Sequence, residues 1–152
     1  MLTFSHVGMT CADPLATERF YSRYFNFQRA RVVPLPDGKQ VVFLKSGSVY
    51  LELFSADQAR VDPPPTADGP HSPGLRHIAF QVDDVAAKLK EMGAEAKITL
   101  GPLGFESFIP GWRTVWIADP DGNIVEISQG FTDEVVVPPA PEAMPAPAAA
   151  RS

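Results

Sequence analysis

The chain has a single cysteine, Cys11, in 152 residues, so it can form no intrachain disulfide. That fits a reducing compartment, and the expectation is a cytoplasmic protein. Basic residues are also in short supply. Thirteen Lys and Arg stand against eighteen Asp and Glu, giving a net charge of -5. A chain that binds nucleic acid through a basic surface needs the opposite balance, so no nucleic-acid partner is expected. The Lys and Arg residues are scattered, which argues against docking on an anionic membrane. No apolar run reaches the roughly 20 residues that span a bilayer. The N-terminus lacks the basic segment and apolar stretch of a secretory signal. What remains is ordinary globular composition, 45% hydrophobic and 20% charged, in a length that suits one domain with a proper core.

What the chain does have is an internal repeat. Phe4-Ser5-His6-Val7-Gly8-Met9 is echoed by Leu75-Arg76-His77-Ile78-Ala79-Phe80. Val49-Tyr50-Leu51-Glu52-Leu53-Phe54 is echoed by Asn123-Ile124-Val125-Glu126-Ile127-Ser128. The two histidines are 71 positions apart and the two glutamates 74. The chain therefore divides into a first module over 1–54, a linker over 55–74, a second module over 75–130 and a tail over 131–152.

Within the first module, alternation predicts a strand from Leu2 to Met9. Asp13 suits a helix N-cap and Pro14 the first helical position, predicting a helix to about Tyr24. Its core stripe is read as Ala16, Phe20, Tyr24 and Phe27. Val41–Leu44 and Val49–Phe54 read as strands around a turn at 45–48. The region 29–33 carries no clear strand signal. The linker, with Asp62-Pro63-Pro64-Pro65 and Gly69-Pro70, cannot form regular structure. The order then recurs: a strand over Leu75–Val82, a helix capped by Asp83 or Asp84 with stripe Val85, Leu89 and Met92, and strands over 95–100, 112–118 and 124–128. A loop rich in Phe and Gly spans 101–111. The tail, nearly all Pro and Ala from Pro138, has too little to bury and is expected to be disordered.

Side chains alternate along a strand, so each glutamate falls mid-strand on a mostly apolar face. A carboxylate there is costly unless it is paired or binds a metal. His6, Glu52, His77 and Glu126, one His and one Glu per module, can together hold one divalent ion. A lone His on a strand is more often a hydrogen-bonded structural residue, and a lone Glu a solvated one. It is the matched placement of all four that points to a metal site.

Three stretches carry a family resemblance: Leu75-Arg76-His77-Ile78-Ala79-Phe80-Gln81-Val82-Asp83-Asp84, Arg19-Phe20-Tyr21, and Ala118-Asp119-Pro120-Asp121-Gly122-Asn123-Ile124-Val125-Glu126-Ile127. Over about residues 2 to 130 the chain resembles the vicinal oxygen chelate superfamily of glyoxalases, bleomycin and fosfomycin resistance proteins and extradiol dioxygenases. The resemblance implies an α+β fold, with two βαβββ modules forming a curved mixed sheet around a central site. It places His6, Glu52, His77 and Glu126 on the four ligand positions of the family. It also implies a homodimer, with the site completed within one chain or across two.

Four intact ligands favour a glyoxalase-type lyase or isomerase acting on a small carbonyl or thioester substrate through an enediolate. Glu126, or else Glu52, would serve as base. Zn, Ni, Co, Mn and Fe all suit such ligands. Two further readings are a metal-free binding protein that sequesters an aromatic or drug-like molecule, and a ring-cleaving dioxygenase. Four protein ligands would crowd the positions a dioxygenase needs for O₂ and substrate. Glyoxalase I proteins commonly carry an Arg four positions beyond the first ligand to help hold glutathione. Thr10 stands there in this chain, which argues against a glutathione substrate. Phe105, Phe108 and Trp112 are read as an apolar wall over the site. Trp116 and Cys11 are read as packing residues, and His71 and Arg113 as solvent-facing.

Overall fold

The computed structural model describes residues 1–140, so most of the Pro/Ala-rich tail lies outside the described residues. The first module contains strand β1 (His6–Cys11), helix α1 (Pro14–Tyr24) and strands β2 (Gln28–Pro34), β3 (Gln40–Ser46) and β4 (Val49–Ser55). The second contains β5 (Ile78–Gln81), α2 (Val85–Met92), β6 (Lys97–Gly104), β7 (Arg113–Ala118) and β8 (Ile124–Gln129). Each module is a four-stranded mixed sheet, ordered β1-β4-β3-β2 and β5-β8-β7-β6. In both, the first strand runs parallel to the last and the others are antiparallel. The repeat read in the sequence is thus a repeat of topology.

Local chemistry sets the helix starts. The Asp13 side chain accepts from the backbone N–H of Leu15 and Ala16, and Asp84 accepts from that of Ala87. These caps satisfy donors that have no partner inside the helix. Gly93, at φ +56°, terminates α2 in a conformation that other residues adopt at a cost.

Several boundaries differ from the sequence reading. The first strand begins at His6 rather than Leu2, because Tyr50 lies opposite His6 and β4 begins one residue earlier, leaving Leu2–Phe4 no strand to pair with. The segment without a strand signal is β2; every residue of it is exposed, so no buried face imposes alternation. The buried face of α1 is Thr17, Phe20, Tyr21 and Tyr24. Ala16 falls outside it, while Phe27 is buried beyond the helix end.

Both modules contribute to one core. Met9, Cys11, Leu51 and Leu53 from the first sheet join Val115, Ile117, Val125 and Ile127 from the second. The α1 aromatics pack between them, and Phe25 and Phe80 stack with ring centroids 4.4 Å apart. Because strand side chains alternate, the other face of each sheet is turned away from this core. The β7–β8 turn then ties the modules together. The Tyr21 hydroxyl donates to Asp119 (2.9 Å), the Thr17 hydroxyl to Asp121 (2.6 Å), and the Ala12 N–H to Asp121 (2.7 Å).

Cys11 packs in this core with none of its surface exposed. Burial is the main reason that its thiol is pushed up to about 12. The thiolate is the reactive form, so the folded protein should not react with a disulfide reagent near pH 8. One thiol per chain should appear once denaturant is added; rapid labelling of the native chain would contradict this burial.

Candidate metal site

The four predicted ligands come together as two pairs. In the first module, His6 Nε2 lies 3.2 Å from a Glu52 oxygen. Parallel pairing places Tyr50 beside His6 and Glu52 beside Gly8, so the outward faces of β1 and β4 present the two side chains together. His6 Nδ1 is 2.9 Å from the Ser5 hydroxyl. The edge of the Phe43 ring faces the imidazole, with centroids 6.0 Å apart.

In the second module, His77 Nε2 lies 2.8 Å from a Glu126 oxygen. His77 immediately precedes β5, and Glu126 sits mid-strand on β8, opposite Ala79 and Trp116. His77 Nδ1 is 2.7 Å from the Asp68 backbone carbonyl. A carbonyl only accepts, so Nδ1 carries the hydrogen and a neutral ring keeps its lone pair on Nε2. That lone pair faces a carboxylate, and two electron-pair donors at 2.8 Å need a positive charge between them. A proton on the ring can supply it, and so can a metal ion. The donor set therefore fits a divalent cation.

Among the described residues, no three His, Cys, Asp or Glu side chains gather into one metal-binding cluster. Each pair lies on the sheet face turned away from the shared core. The chain thus presents two separate His–Glu pairs, and β1 and β5 are both edge strands. A cavity of about 940 Å³ opens along these edges; Thr10, His77 and the linker line it.

The linker does more than connect. Besides the carbonyl that fixes His77, Asp68 supplies a carboxylate that pairs with Arg76 at 2.8 Å. Burial raises the Asp68 carboxyl, but the Arg76 guanidinium, a backbone hydrogen bond and His71 together outweigh it and hold the group below the usual carboxylate range. Gly69 permits this turn: it sits at φ +118°, and a Cβ there would come within 2.0 Å of the Arg76 carbonyl. No periodicity in the sequence marks Asp68 as an anchor for His77.

The aromatic residues form a run beside the His77–Glu126 pair. Phe105 packs on Trp112 with centroids 4.8 Å apart and meets Trp116 edge-on at 6.5 Å, and Trp116 lies 6.2 Å from His77. Phe108 is 75% exposed at the outer end, next to Phe105. Trp112 Nε1 donates to the Ser128 hydroxyl at 3.0 Å. Trp116 is buried, in keeping with a packing role. His71 and Arg113 are exposed, also as expected; Arg113 lies 3.8 Å from Glu106.

Comparison with known proteins gives a consistent result. A family model described as the Glyoxalase/Bleomycin resistance protein/Dioxygenase superfamily matches residues 3–127. The uncharacterized protein YwkD of Bacillus subtilis is 32% identical over 128 residues, covering 80% of this chain and 92% of that protein. A glyoxalase family protein from Enterococcus faecalis is 30% identical with a TM-score of 0.61, covering 83% of this chain and 96% of that one. The fosfomycin resistance protein FosX from Listeria monocytogenes, in a structure complexed with Mn(II) and sulfate, shares the fold at 16% identity and a TM-score of 0.60. The match covers 86% of this chain and 94% of that one.

Proposed function

The chain belongs to the Glyoxalase/Bleomycin resistance protein/Dioxygenase superfamily, and on that footing we propose a divalent-metal-dependent lyase or isomerase for a small carbonyl or thioester substrate. The observation that carries this reading is the matched pair of His–Glu contacts, one on each module, with each histidine at or just before the start of the module's first strand and each glutamate on its last. His6 and Glu52 of one protomer would hold the ion with the partner's His77 and the partner's Glu126. Three observations support this sharing: the ligand-bearing faces turn away from the chain's own core, β1 and β5 are edge strands, and Phe4 and Leu75 near them are largely exposed. A two-fold axis would complete two identical sites, as closed symmetry favours.

When bound, the metal supplies Lewis-acid stabilisation of negative charge on adjacent substrate oxygens. The chain's own groups do the remaining work. The Asp68 carbonyl holds the His77 ring in the tautomer that presents Nε2. Glu126 is 9% exposed, beside His77 and Trp116, and its carboxylate is the base assigned to take a proton from the carbon next to the carbonyl. Glu52, on the more open face, is the alternative base. Phe105, Phe108 and Trp112 form the apolar wall that limits water on that side.

Protein purified without chelators should carry close to one metal ion per chain by elemental analysis. Less than a tenth of an equivalent, unchanged after incubation with Ni, Co, Mn or Zn, would leave the sequestering reading in place, with the aromatic run as its binding surface. Stoichiometric iron with oxygen uptake on catechols would favour the dioxygenase. Glu126→Gln should retain some metal yet lose at least about 100-fold in turnover; unchanged turnover would exclude Glu126 as the base.

A further inference from the structure

The outward face of the first sheet carries a charge that ligand binding by His6 and Glu52 does not use. Cross-strand register places Arg31 of β2 opposite Phe43 of β3, and Phe43 opposite Glu52 of β4. Lys45 lies opposite Tyr50 in the adjoining row, its ammonium 5.3 Å from the Tyr50 ring centre. The chain as a whole has a net charge of -5. On this face, however, two cations stand against one carboxylate, Glu52, which His6 already engages.

Arg31 makes no salt bridge among the described residues. Two other arginines of this module are engaged, whereas Arg19 on α1, like Arg31, makes no salt bridge among the described residues. Both oxygens of Glu18 accept from Arg29, at 2.6 and 2.8 Å, and Arg23 pairs with Glu95 at 3.3 Å. Arg31 instead borders a cavity of about 470 Å³ whose other walls are Ser5, His6, Ala30, Phe43 and Tyr50. One cavity thus joins a proposed metal ligand, two aromatic rings and an uncommitted guanidinium. A guanidinium presents a planar fork of donors that matches an oxyanion, and such charge-assisted hydrogen bonds are among the stronger ones.

We propose that Arg31 is a specificity-determining residue that receives an oxyanion of the substrate, a carboxylate or a phosphoryl-type group, at the rim of the His6–Glu52 half-site. The substrate class is therefore an anionic small carbonyl compound, with Phe43 and Tyr50 flanking its apolar part. This assignment rests on the metal-site reading for its role in turnover, but the anion contact can be measured without the metal.

The test titrates the full chain, as purified and with zinc added, with benzoate, phenylphosphonate and the neutral benzamide, followed by NMR. Benzoate or phenylphosphonate should shift the Arg31 Nε–H signal and the Phe43 and Tyr50 amides. The better of the two anions should bind about five- to tenfold more tightly than benzamide, and the preferred anion identifies the group that Arg31 recognises. Arg31→Ala should erase the preference, and Arg31→Lys should keep part of it. Arg31 is exposed, so an unchanged far-UV spectrum is expected for both variants. Equal binding of all three probes, or a preference that survives Arg31→Ala in either form, would overturn the assignment. Failure to take up zinc would count against the metal site alone, because the metal-free titration still decides the role of Arg31.

Discussion

Mixing His6→Ala chains with His77→Ala chains should restore metal binding that neither variant has alone. Each variant removes one imidazole from every site of its own homodimer. Loss of a ligand should weaken metal binding on the order of 100-fold or more, since even groups that only orient a ligand are worth 10- to 100-fold. A hybrid dimer is different if sites are shared between chains. Both substitutions then fall in one site, and the other keeps His6 from one chain and His77 from its partner. In a random mixture about half of the dimers are hybrids, so about a quarter of all sites should return at wild-type affinity. Isothermal titration with Mn or Zn after joint refolding reads this directly. A mixture that regains no sites, alongside a wild type that binds metal fully, would place all four ligands within one chain.

The geometry behind this expectation is specific. His77 Nε2 and Glu126 are 2.8 Å apart, and His6 Nε2 and Glu52 3.2 Å, so each pair is already assembled on its sheet. What separates the pairs is the core. Met9, Leu51 and Ile127 all point into it, and His6, Glu52 and Glu126 lie on the opposite faces of the same three strands.

Removing the Asp119 carboxylate should cost about 3–5 kcal/mol of stability, the largest loss expected from one polar side chain here. Asp119 is 2% exposed and accepts from the Tyr21 hydroxyl, the backbone N–H groups of Asp121 and Asn123, and the Asn123 side-chain amide. Asp119→Ala would leave those donors without this acceptor and loosen the turn whose Asp121 holds α1. Tyr21→Phe deletes one donor and leaves the carboxylate three others, so it should cost nearer 1 kcal/mol. Urea denaturation of both variants measures the contrast as a drop in midpoint. A loss below about 1 kcal/mol for Asp119→Ala would mean that the turn does not tie the modules together. Burial raises the Asp119 carboxyl above its ordinary range. The native chain therefore binds this proton before the unfolded chain does, and acid does not act against the fold through Asp119.

Much of this protein is written locally. Asp13-Pro14 and Asp84 start the helices where the sequence says they should, because a cap is satisfied by backbone donors two or three residues away. The duplicated His and Glu are legible because both modules place them at nearly the same spacing, 71 residues apart for His and 74 for Glu. β2 is not legible, since Gln28–Pro34 forms an exposed edge whose pairing with β3, not its own pattern, makes it a strand. Nor could Asp68 be read as the anchor of His77. Its carbonyl reaches the ring only because the Gly69 turn folds the linker back.

The duplicated modules, their helices and most of their strands, the resemblance to one superfamily, and the four residues proposed to hold a metal were all legible in the chain itself. Each of these rests on short-range periodicity or on residue type. It is the packing of the folded chain that sets the four as two His–Glu pairs facing away from one core and puts Arg31 and His6 at one cavity. Those facts depend on which sheet faces pack together. That choice is set by burying the apolar faces of both modules around α1, a long-range outcome that no local pattern encodes.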